Sequence, residues 1–352
     1  MENSILKANE LEVSVYRGGT SRGLMCLRKQ VENAAKRLNI SLETVLKRLI
    51  DNENANSIDG LGGGISSTNK VCLIDFDDKS VDASWEFYQI GACSPTCSND
   101  GTCGNIVAAV AAFVLDMKAK EPNSTILLYL KSKNINKIIQ ITLKSDKFGN
   151  FNPIGEYEIA GVKSHSSKIS IDIKDIHPSL LTSGKIIVDG KNTYVEVIDC
   201  INIFTLVDAK ELEIHANYNY ERLNCADIFS RLVEVKENST KLAKLAPSPV
   251  IPRVLALLNS DEADIEVRVL SAYNIHKSCP ASAFFAIAAA IALPNSLAQK
   301  ISAFKIKNGE NIVKIKHLKG IVEVKVKVQN GVVVSVGINR SARMIMRGIA
   351  RI

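Results

Sequence analysis

The sequence predicts an α+β protein of two similar domains, each a sheet wrapped around a central apolar helix. Two segments, residues 106–115 and 281–293, are apolar at nearly every position. A helix without a polar face must be buried on every side. Short runs with the alternation and turn punctuation of strands flank both segments, which indicates a sheet around each helix. We expect the active site in the cleft between the two domains.

The size and composition fit this organisation. The chain has 352 residues, of which 46% are hydrophobic and 23% charged, enough for a soluble protein with two separate cores. The halves repeat a pattern without repeating a sequence: strands, a cysteine before an apolar helix, then more strands. We place the first domain at residues 1–183, with residues 338–352 expected to return to it, and the second at residues 184–337.

The elements follow from periodicity and punctuation. Residues 11–28 fit a strand, a glycine-rich turn and a second strand, and residues 33–52 have helical spacing with Ser41 as a possible N-cap. The remaining predicted helices are residues 105–117, 224–235 and 282–291. The remaining principal strands are predicted at 126–130, 138–143, 157–162, 169–173, 186–188, 267–272, 312–316, 321–328 and 332–337.

Charge and cysteine usage exclude several classes of function. The net charge is +7, but no run of basic residues with interleaved aromatics is present, so we expect no nucleic-acid partner. Residues 1–7 lack the regions of a signal peptide, and the apolar segments are too short to span a bilayer, so we expect no membrane association. Eight scattered cysteines are typical of reduced thiols in the cytoplasm.

Two runs of small residues, 17–23 and 62–70, carry backbone N–H groups and hydroxyls that can converge on an anion. The second run is not a nucleotide-binding loop, because it lacks the required spacing and a strand follows it rather than a helix. The candidate anion-binding residues of the two runs are Arg17, Thr20, Ser21, Gly64, Ser66, Ser67 and Thr68.

Lys70 and Cys103 are the candidate catalytic residues. Lys70 leads from the second run into an apolar strand, where partial burial would lower its pKa toward neutrality; the alternative is a solvated lysine at a strand edge. Cys103 precedes the first apolar helix, whose N-terminus favours a thiolate; the alternative is a structural cysteine. Gly104 permits close approach of a substrate, and Asn105 adds an amide.

Other groups of residues give weaker evidence for a functional site. Cys93, Cys97 and Cys103 lack the second pair or nearby histidine of a zinc site, so we expect no metal. His276 lies just ahead of the second apolar helix, and Cys279 lies at its start, where a two-cysteine racemase would carry its second thiol.

Together these segments resemble the PrpF-type family of 2-methylaconitate cis–trans isomerases, methylitaconate isomerases and 4-oxalomesaconate tautomerases, within the diaminopimelate-epimerase-like superfamily. The similar segments are residues 17–23, with Arg22 for a lysine, 59–70, and 103–105, with Thr102 for the preceding asparagine. Residues 270–276 and 340–348 are less similar. The resemblance implies two domains, each a β-barrel-like sheet around a central helix, and the catalytic pair Lys70 and Cys103. We expect the reaction to need no cofactor.

The expected function is proton abstraction and allylic reprotonation on an unsaturated di- or tricarboxylic acid of the aconitate or 2-methylaconitate type. In this interpretation Ser271, His276 and Cys279 join the substrate-binding residues. Residues 199–202 depart from the family pattern, which leaves the substrate's identity open. A homodimer is compatible with the sequence. The alternatives are an amino-acid racemase that uses Cys103 and Cys279, and a non-catalytic anion-binding accessory protein.

Overall fold

The computed structural model describes residue 7, residues 9–271 and residues 273–352. Residues 1–6, part of the segment tested for a signal peptide, and Ala272, the predicted end of strand 267–272, lie outside the described residues. The helices are α1 (Arg28–Leu38), α2 (Leu42–Ile50), α3 (Ile106–Met117), α4 (Tyr220–Leu223), α5 (Ala226–Leu242), α6 (Ala281–Ile291) and α7 (Leu297–Ile301).

The strands occur before, between and after these helices along the chain. They are β1 (Glu10–Gly18), β2 (Ser21–Leu27), β3 (Lys70–Asp75), β4 (Ala83–Ile90), β5 (Cys97–Ser98), β6 (Thr125–Ser132), β7 (Lys137–Lys144), β8 (Tyr157–Ile159), β9 (Val162–Ser166), β10 (Ile169–Lys174), β11 (Ser179–Val188), β12 (Lys191–Cys200), β13 (Asn202–Asp208), β14 (Arg253–Leu258), β15 (Ile265–Ser271), β16 (Asn274–Ile275), β17 (Gly309–His317), β18 (Gly320–Gln329), β19 (Val332–Arg340) and β20 (Ala342–Arg351).

The chain forms two compact units. The first runs to Ile171 and includes Arg340–Ile352, and the second is Asp172–Asn339. In the first unit β1 pairs antiparallel with both β2 and β20. Strands β2 and β3 are parallel, and β4 pairs antiparallel with β3 and β5 and parallel with β6, which pairs with β7.

The second unit repeats this order of pairing. Strands β13 and β14 are parallel, and β15 pairs antiparallel with β14 and β16 and parallel with β17, which pairs with β18. Helix α3 lies between β5 and β6 in the chain, and helix α6 lies between β16 and β17, so the two helices occupy equivalent positions. The predicted repetition is therefore present in the strand pairing. The barrel-like closure of each sheet and the cleft between the units stay predictions.

Both predicted apolar helices are buried. Every residue from Ile106 to Leu115 is at most 4% exposed, and every residue of α6 is at most 1% exposed. Helices α1 and α2 contribute a different layer, in which Val31, Val45 and Leu46 pack with residues of β1, β2 and β3. The first core thus lies between these elements and the sheet.

The helical spacing predicted over residues 33–52 is divided between α1 and α2. The structure has two helices there, separated at Asn39, whose φ of 52° places it in the left-handed region. Asparagine tolerates that conformation and so ends α1. The predicted cap is confirmed, since the Ser41 side chain accepts a hydrogen bond from the Thr44 N–H at 3.0 Å. The strand predicted over residues 157–162 is the hairpin of β8 and β9.

Gly18 marks a close approach of β1 to α3. A Cβ at this position would lie 2.6 Å from the Asn105 carbonyl oxygen and 2.9 Å from the Ala109 Cβ. Backbone atoms cannot yield as the end of a flexible side chain can. The absence of a side chain at Gly18 therefore sets the distance between the strand and the start of the helix.

We expect Gly18→Ala to lower the free energy of unfolding of the first unit by about 1–3 kcal/mol, the usual cost of overpacking. Urea unfolding followed by fluorescence measures this, because the only tryptophan, Trp85, is fully buried in β4. Gly348→Ala is the control, since its Cβ would meet only the flexible Met346 side chain, at 3.3 Å. Equal unfolding midpoints for the two variants would contradict this account of Gly18.

Candidate active site

The residues that precede α3 form a tightly hydrogen-bonded corner. The Cys103 carbonyl oxygen accepts from the Ile106 N–H at 3.0 Å. Asn105 is 1% exposed; its amide donates to Thr20 Oγ1 at 3.0 Å, and its oxygen accepts from Arg340 Nε at 2.8 Å. Asn105 therefore joins the β1–β2 turn, the start of α3 and the end of β19. Both polar groups of its amide make these contacts within the chain.

Lys70 opens β3 and is only 6% exposed, so its predicted burial is confirmed. Its Nζ donates to Gln89 Oε1 at 2.5 Å and lies 5.2 Å from the centroid of the Phe87 ring. The Gln89 amide donates in turn to the Asn69 carbonyl oxygen at 2.9 Å and to that of Ser66 at 3.1 Å. Gln89 thus fixes the lysine and ties it to the loop that precedes β3.

The charge of Lys70 acts on Cys103. Burial of the thiol opposes ionisation, but the Lys70 charge, the N–H groups of Ile106 and Asn105 and the Ser21 hydroxyl outweigh it and lower the pKa of Cys103. The Ser21 Oγ and Cys103 Sγ atoms are 3.7 Å apart. The first unit therefore brings Lys70, Cys103 and Ser21 into one electrostatic environment that favours a thiolate.

Neighbouring thiols show the opposite behaviour. Burial, reinforced by the charge of Cys103, raises the pKa of Cys72 well above its usual value, although Lys70 opposes the shift. Burial raises the pKa of Cys26 to about 12. Cys26 and Cys72 are buried, whereas Cys103 is half-buried, and Lys70 acts on Cys72 as well, so proximity to Lys70 alone does not account for the activation of Cys103.

The glycine-rich loop before β3 is held by contacts that the sequence did not reveal. The Asn69 side-chain oxygen accepts from the Gly63 N–H at 3.0 Å. Arg22 donates from its side chain to the Gly62 carbonyl oxygen at 2.9 Å and from its N–H to the Ser67 carbonyl oxygen at 2.9 Å. Gly64 has φ of +70°, and a Cβ there would lie 2.1 Å from the Ala55 carbonyl oxygen. These contacts hold the loop in a compact conformation.

Of the predicted residues of this loop, Ser66 is exposed, whereas Ser67 and Thr68 are half-buried. The Thr68 hydroxyl donates to the Ile65 carbonyl oxygen at 3.1 Å, so it caps a turn of its own loop.

Arg17 has a different environment from Lys70. Its Nη1 donates to the carbonyl oxygens of Gly19 and Ser341, each at 3.1 Å, and burial together with the charge of Arg343 lowers its pKa. Arg17 also lines a cavity of about 530 Å³ that contains none of the other predicted site residues. Its predicted contact with substrate stays a prediction.

The predicted residues of the second unit lie before α6. The Ser271 hydroxyl accepts from Arg253 Nε at 3.1 Å, and His276 Nδ1 accepts from the Ser278 N–H at 3.1 Å. Cys279 is 1% exposed, and its thiol donates to the Pro280 carbonyl oxygen at 3.6 Å. Arg253 is a residue that the sequence reasoning missed.

Two further features concern metals and membranes. Among the described residues, no three His, Cys, Asp or Glu side chains are placed to hold a metal ion together. The helices in the described part of the chain are all too short or too polar to cross a membrane.

Comparison with known proteins gives the same grouping as the motifs. The model of the family described as PrpF protein matches residues 8–225 and 235–352. This chain belongs to the PrpF family.

Relatives of this chain act on different acids, as their names state. The chain is 23% identical to 3-methylitaconate isomerase of Eubacterium barkeri, over 95% of each chain. It is 24% identical to 2-methyl-aconitate isomerase of Shewanella oneidensis, over 100% of this chain and 99% of the relative. It is 22% identical to 4-oxalomesaconate tautomerase of Pseudomonas putida, over 95% and 94%.

The fold is shared more widely. The crystal structure of methylitaconate-delta-isomerase superposes with a TM-score of 0.76 at 21% identity, covering 97% of this chain and 95% of that one. A hydroxyproline epimerase from Agrobacterium vitis superposes with a TM-score of 0.62 at 9% identity, covering 98% and 93%. The expected α+β fold is thus confirmed as an epimerase-like fold, and it consists of mixed sheets with few helices.

Replacement of Lys70 by methionine tests its action on Cys103. Because loss of the positive charge raises the thiol pKa, we expect Lys70→Met to slow alkylation of Cys103 by iodoacetamide at neutral pH by about tenfold. In the unaltered protein the rate falls as the pH drops through the Cys103 pKa. Peptide mass spectrometry measures each cysteine separately, and the exposed Cys93 serves as the reagent control. An unchanged rate at Cys103 would contradict the coupling.

Proposed function

We propose that the protein is a cofactor-independent isomerase of an unsaturated di- or tricarboxylic acid, of the aconitate or 2-methylaconitate type. The observation that carries this proposal is the pairing of a buried lysine with a cysteine whose pKa that lysine lowers. The names of the relatives support it at the level of the family, since they describe isomerases and tautomerases of unsaturated acids. The family-level activity is therefore isomerisation, and the substrate and mechanism are proposed.

In the proposed mechanism the Cys103 thiolate removes a proton from a carbon that is allylic or next to a carboxylate. The electron pair of the broken C–H bond enters the conjugated system and gives a dienolate. Return of a proton from the Lys70 ammonium to the allylic carbon then moves the double bond, or leaves it in the other configuration after rotation. A positive lysine beside a thiolate suits this division, because each group begins in the protonation state that its step requires.

Stabilisation of the dienolate is expected from hydrogen-bond donors already in place. The N–H groups at the start of α3 and the Ser21 hydroxyl act on Cys103, and the helix N-terminus adds partial positive charge. One preorganised donor of this kind is worth about 3 kcal/mol in a transition state. The predicted binding residues Ser66, Ser67 and Thr68 belong to the adjoining loop.

Proton NMR in D2O tests the function. We expect one of cis-aconitate, trans-aconitate, 2-methylaconitate, methylitaconate or 4-oxalomesaconate, each offered separately, to be interconverted with deuterium entering at an allylic carbon. If none of the five reacts or exchanges while chiral amino acids lose their α-proton, the amino-acid racemase is the correct function. Ligand binding without any exchange would favour the accessory protein.

Substitution of the pair tests the roles. Lys70→Ala and Cys103→Ala should each lower kcat by about 10²- to 10⁴-fold, the usual contribution of a positioned acid or base, without loss of fold by circular dichroism. Cys279→Ser should keep kcat within about tenfold, whereas a two-cysteine racemase would be inactivated by it. Cys225→Ala, at an exposed thiol, is the control. Turnover near that of the unaltered protein in either alanine variant would contradict the assignment.

A further inference from the structure

The repeated strand pairing places a second cation at the position that corresponds to Lys70. Lys70 opens β3, which runs parallel to β2, and Arg253 opens β14, which runs parallel to β13. Each donates a hydrogen bond to a side chain at or near the end of the next antiparallel strand. The acceptor is Gln89 for Lys70 and Ser271 for Arg253. Arg253 differs from Lys70 in one respect, because an arginine remains charged throughout the physiological pH range.

The Arg253 guanidinium is held at the start of α6. Arg253 is 7% exposed, and its Nε donates to Ser271 Oγ at 3.1 Å. In the amide orientation that satisfies both of its polar groups, Asn202 accepts from Arg253 Nη1 at 3.1 Å and from Ser282 Oγ at 3.3 Å. Ser282 lies in the first turn of α6. Ser271 and Asn202 orient the guanidinium, and neither side chain carries a charge.

A second buried cation lies beside it. Lys236, from α5, is 2% exposed; its Nζ donates to the Pro252 carbonyl oxygen at 2.9 Å and lies 5.2 Å from the centroid of the Tyr273 ring. Burial and the charge of Arg253 lower the pKa of Lys236 to about 8, and Glu237 opposes this only weakly. Within the part of the chain that the structure describes, Lys236 has no carboxylate at ion-pair distance.

The backbone on both sides of this cluster is strained. Ile201 has φ of 69° and Tyr273 has φ of 56°. This is the left-handed backbone region, which residues other than glycine and asparagine rarely adopt. Ile201 is branched at Cβ, so the cost is greater there. The turn at Ile201 presents Asn202, and Tyr273, which is 40% exposed, covers Lys236. Such outliers cluster at ligand sites, where surrounding structure holds them.

We infer that Arg253 and Lys236 form a carboxylate-binding site at the start of α6 that selects for polycarboxylate ligands. The planar guanidinium matches a carboxylate in two parallel hydrogen bonds. Two adjacent buried cations repel each other, and a ligand anion relieves that repulsion. The inference rests on the proposed function for the identity of the ligand, which is the same unsaturated acid. It adds the residues that distinguish a polycarboxylate from an acid with a single carboxylate.

Titration calorimetry with cis-aconitate, and with crotonate as the monocarboxylate, tests this site by binding alone. We expect Arg253→Met to raise the Kd for cis-aconitate by about 10- to 100-fold, as loss of a charge-assisted hydrogen bond does. The ratio of the Kd for crotonate to the Kd for cis-aconitate should fall in the same variant. Arg253→Lys keeps the charge and should give an intermediate Kd. Arg222→Met, at an exposed arginine of the same unit that pairs with Asp227, should leave the Kd unchanged.

The Kd tests the binding site and isomerisation tests the proposed function, so the two proposals can be separated. If no acid is isomerised but the Kd for cis-aconitate still depends on Arg253, the binding site stands and the proposed function falls. If the acid is isomerised and Arg253→Met leaves both Kd and KM unchanged, the binding site is wrong. Absence of cis-aconitate binding by the unaltered protein also overturns it. Should Arg253→Met fail to fold, Arg253→Lys decides, and an unchanged Kd in that folded variant overturns the inference.

Discussion

A helix without a polar face is the constraint on which the first unit depends. Because every residue of α3 from Ile106 to Leu115 is buried, strands must surround it, and only its ends can meet polar groups. Gly18 lets β1 approach the Asn105 carbonyl, and the Asn105 side chain binds the β1–β2 turn and Arg340. The position of Cys103 follows from the enclosure of the helix, since this residue lies immediately before it.

The lowered pKa of Cys103 also depends on a buried positive charge, that of Lys70. Lys70 has the Gln89 oxygen as an acceptor and the Phe87 ring beneath it, which offset part of the cost of leaving water. The charge is then available to lower the pKa of Cys103, while Cys26 and Cys72 stay protonated because burial dominates there. Selective activation of one thiol among three is therefore a consequence of geometry. The cations of the second unit follow the same principle with a permanently charged arginine.

The features that local pattern controls could be predicted from the sequence. An unbroken run of apolar residues predicts a buried helix, and a lysine entering an apolar strand predicts its own burial; both predictions are confirmed for α3 and Lys70. The break at Asn39 was missed because helical spacing continues through it. Gln89, Arg22 and Arg253 were missed because each acts through strand pairing with a distant segment. No local pattern marks such partners.

The division of proton transfer between the two side chains is the central claim, and deuterium exchange into unreacted substrate tests it most directly. In D2O, a thiolate can still abstract the substrate proton when the lysine is absent. We expect Lys70→Ala to retain exchange that is faster than its residual isomerisation, and Cys103→Ala to lose exchange and isomerisation to the same extent. Exchange by Cys103→Ala at the rate of the unaltered protein would contradict the account, because another group would then be the base.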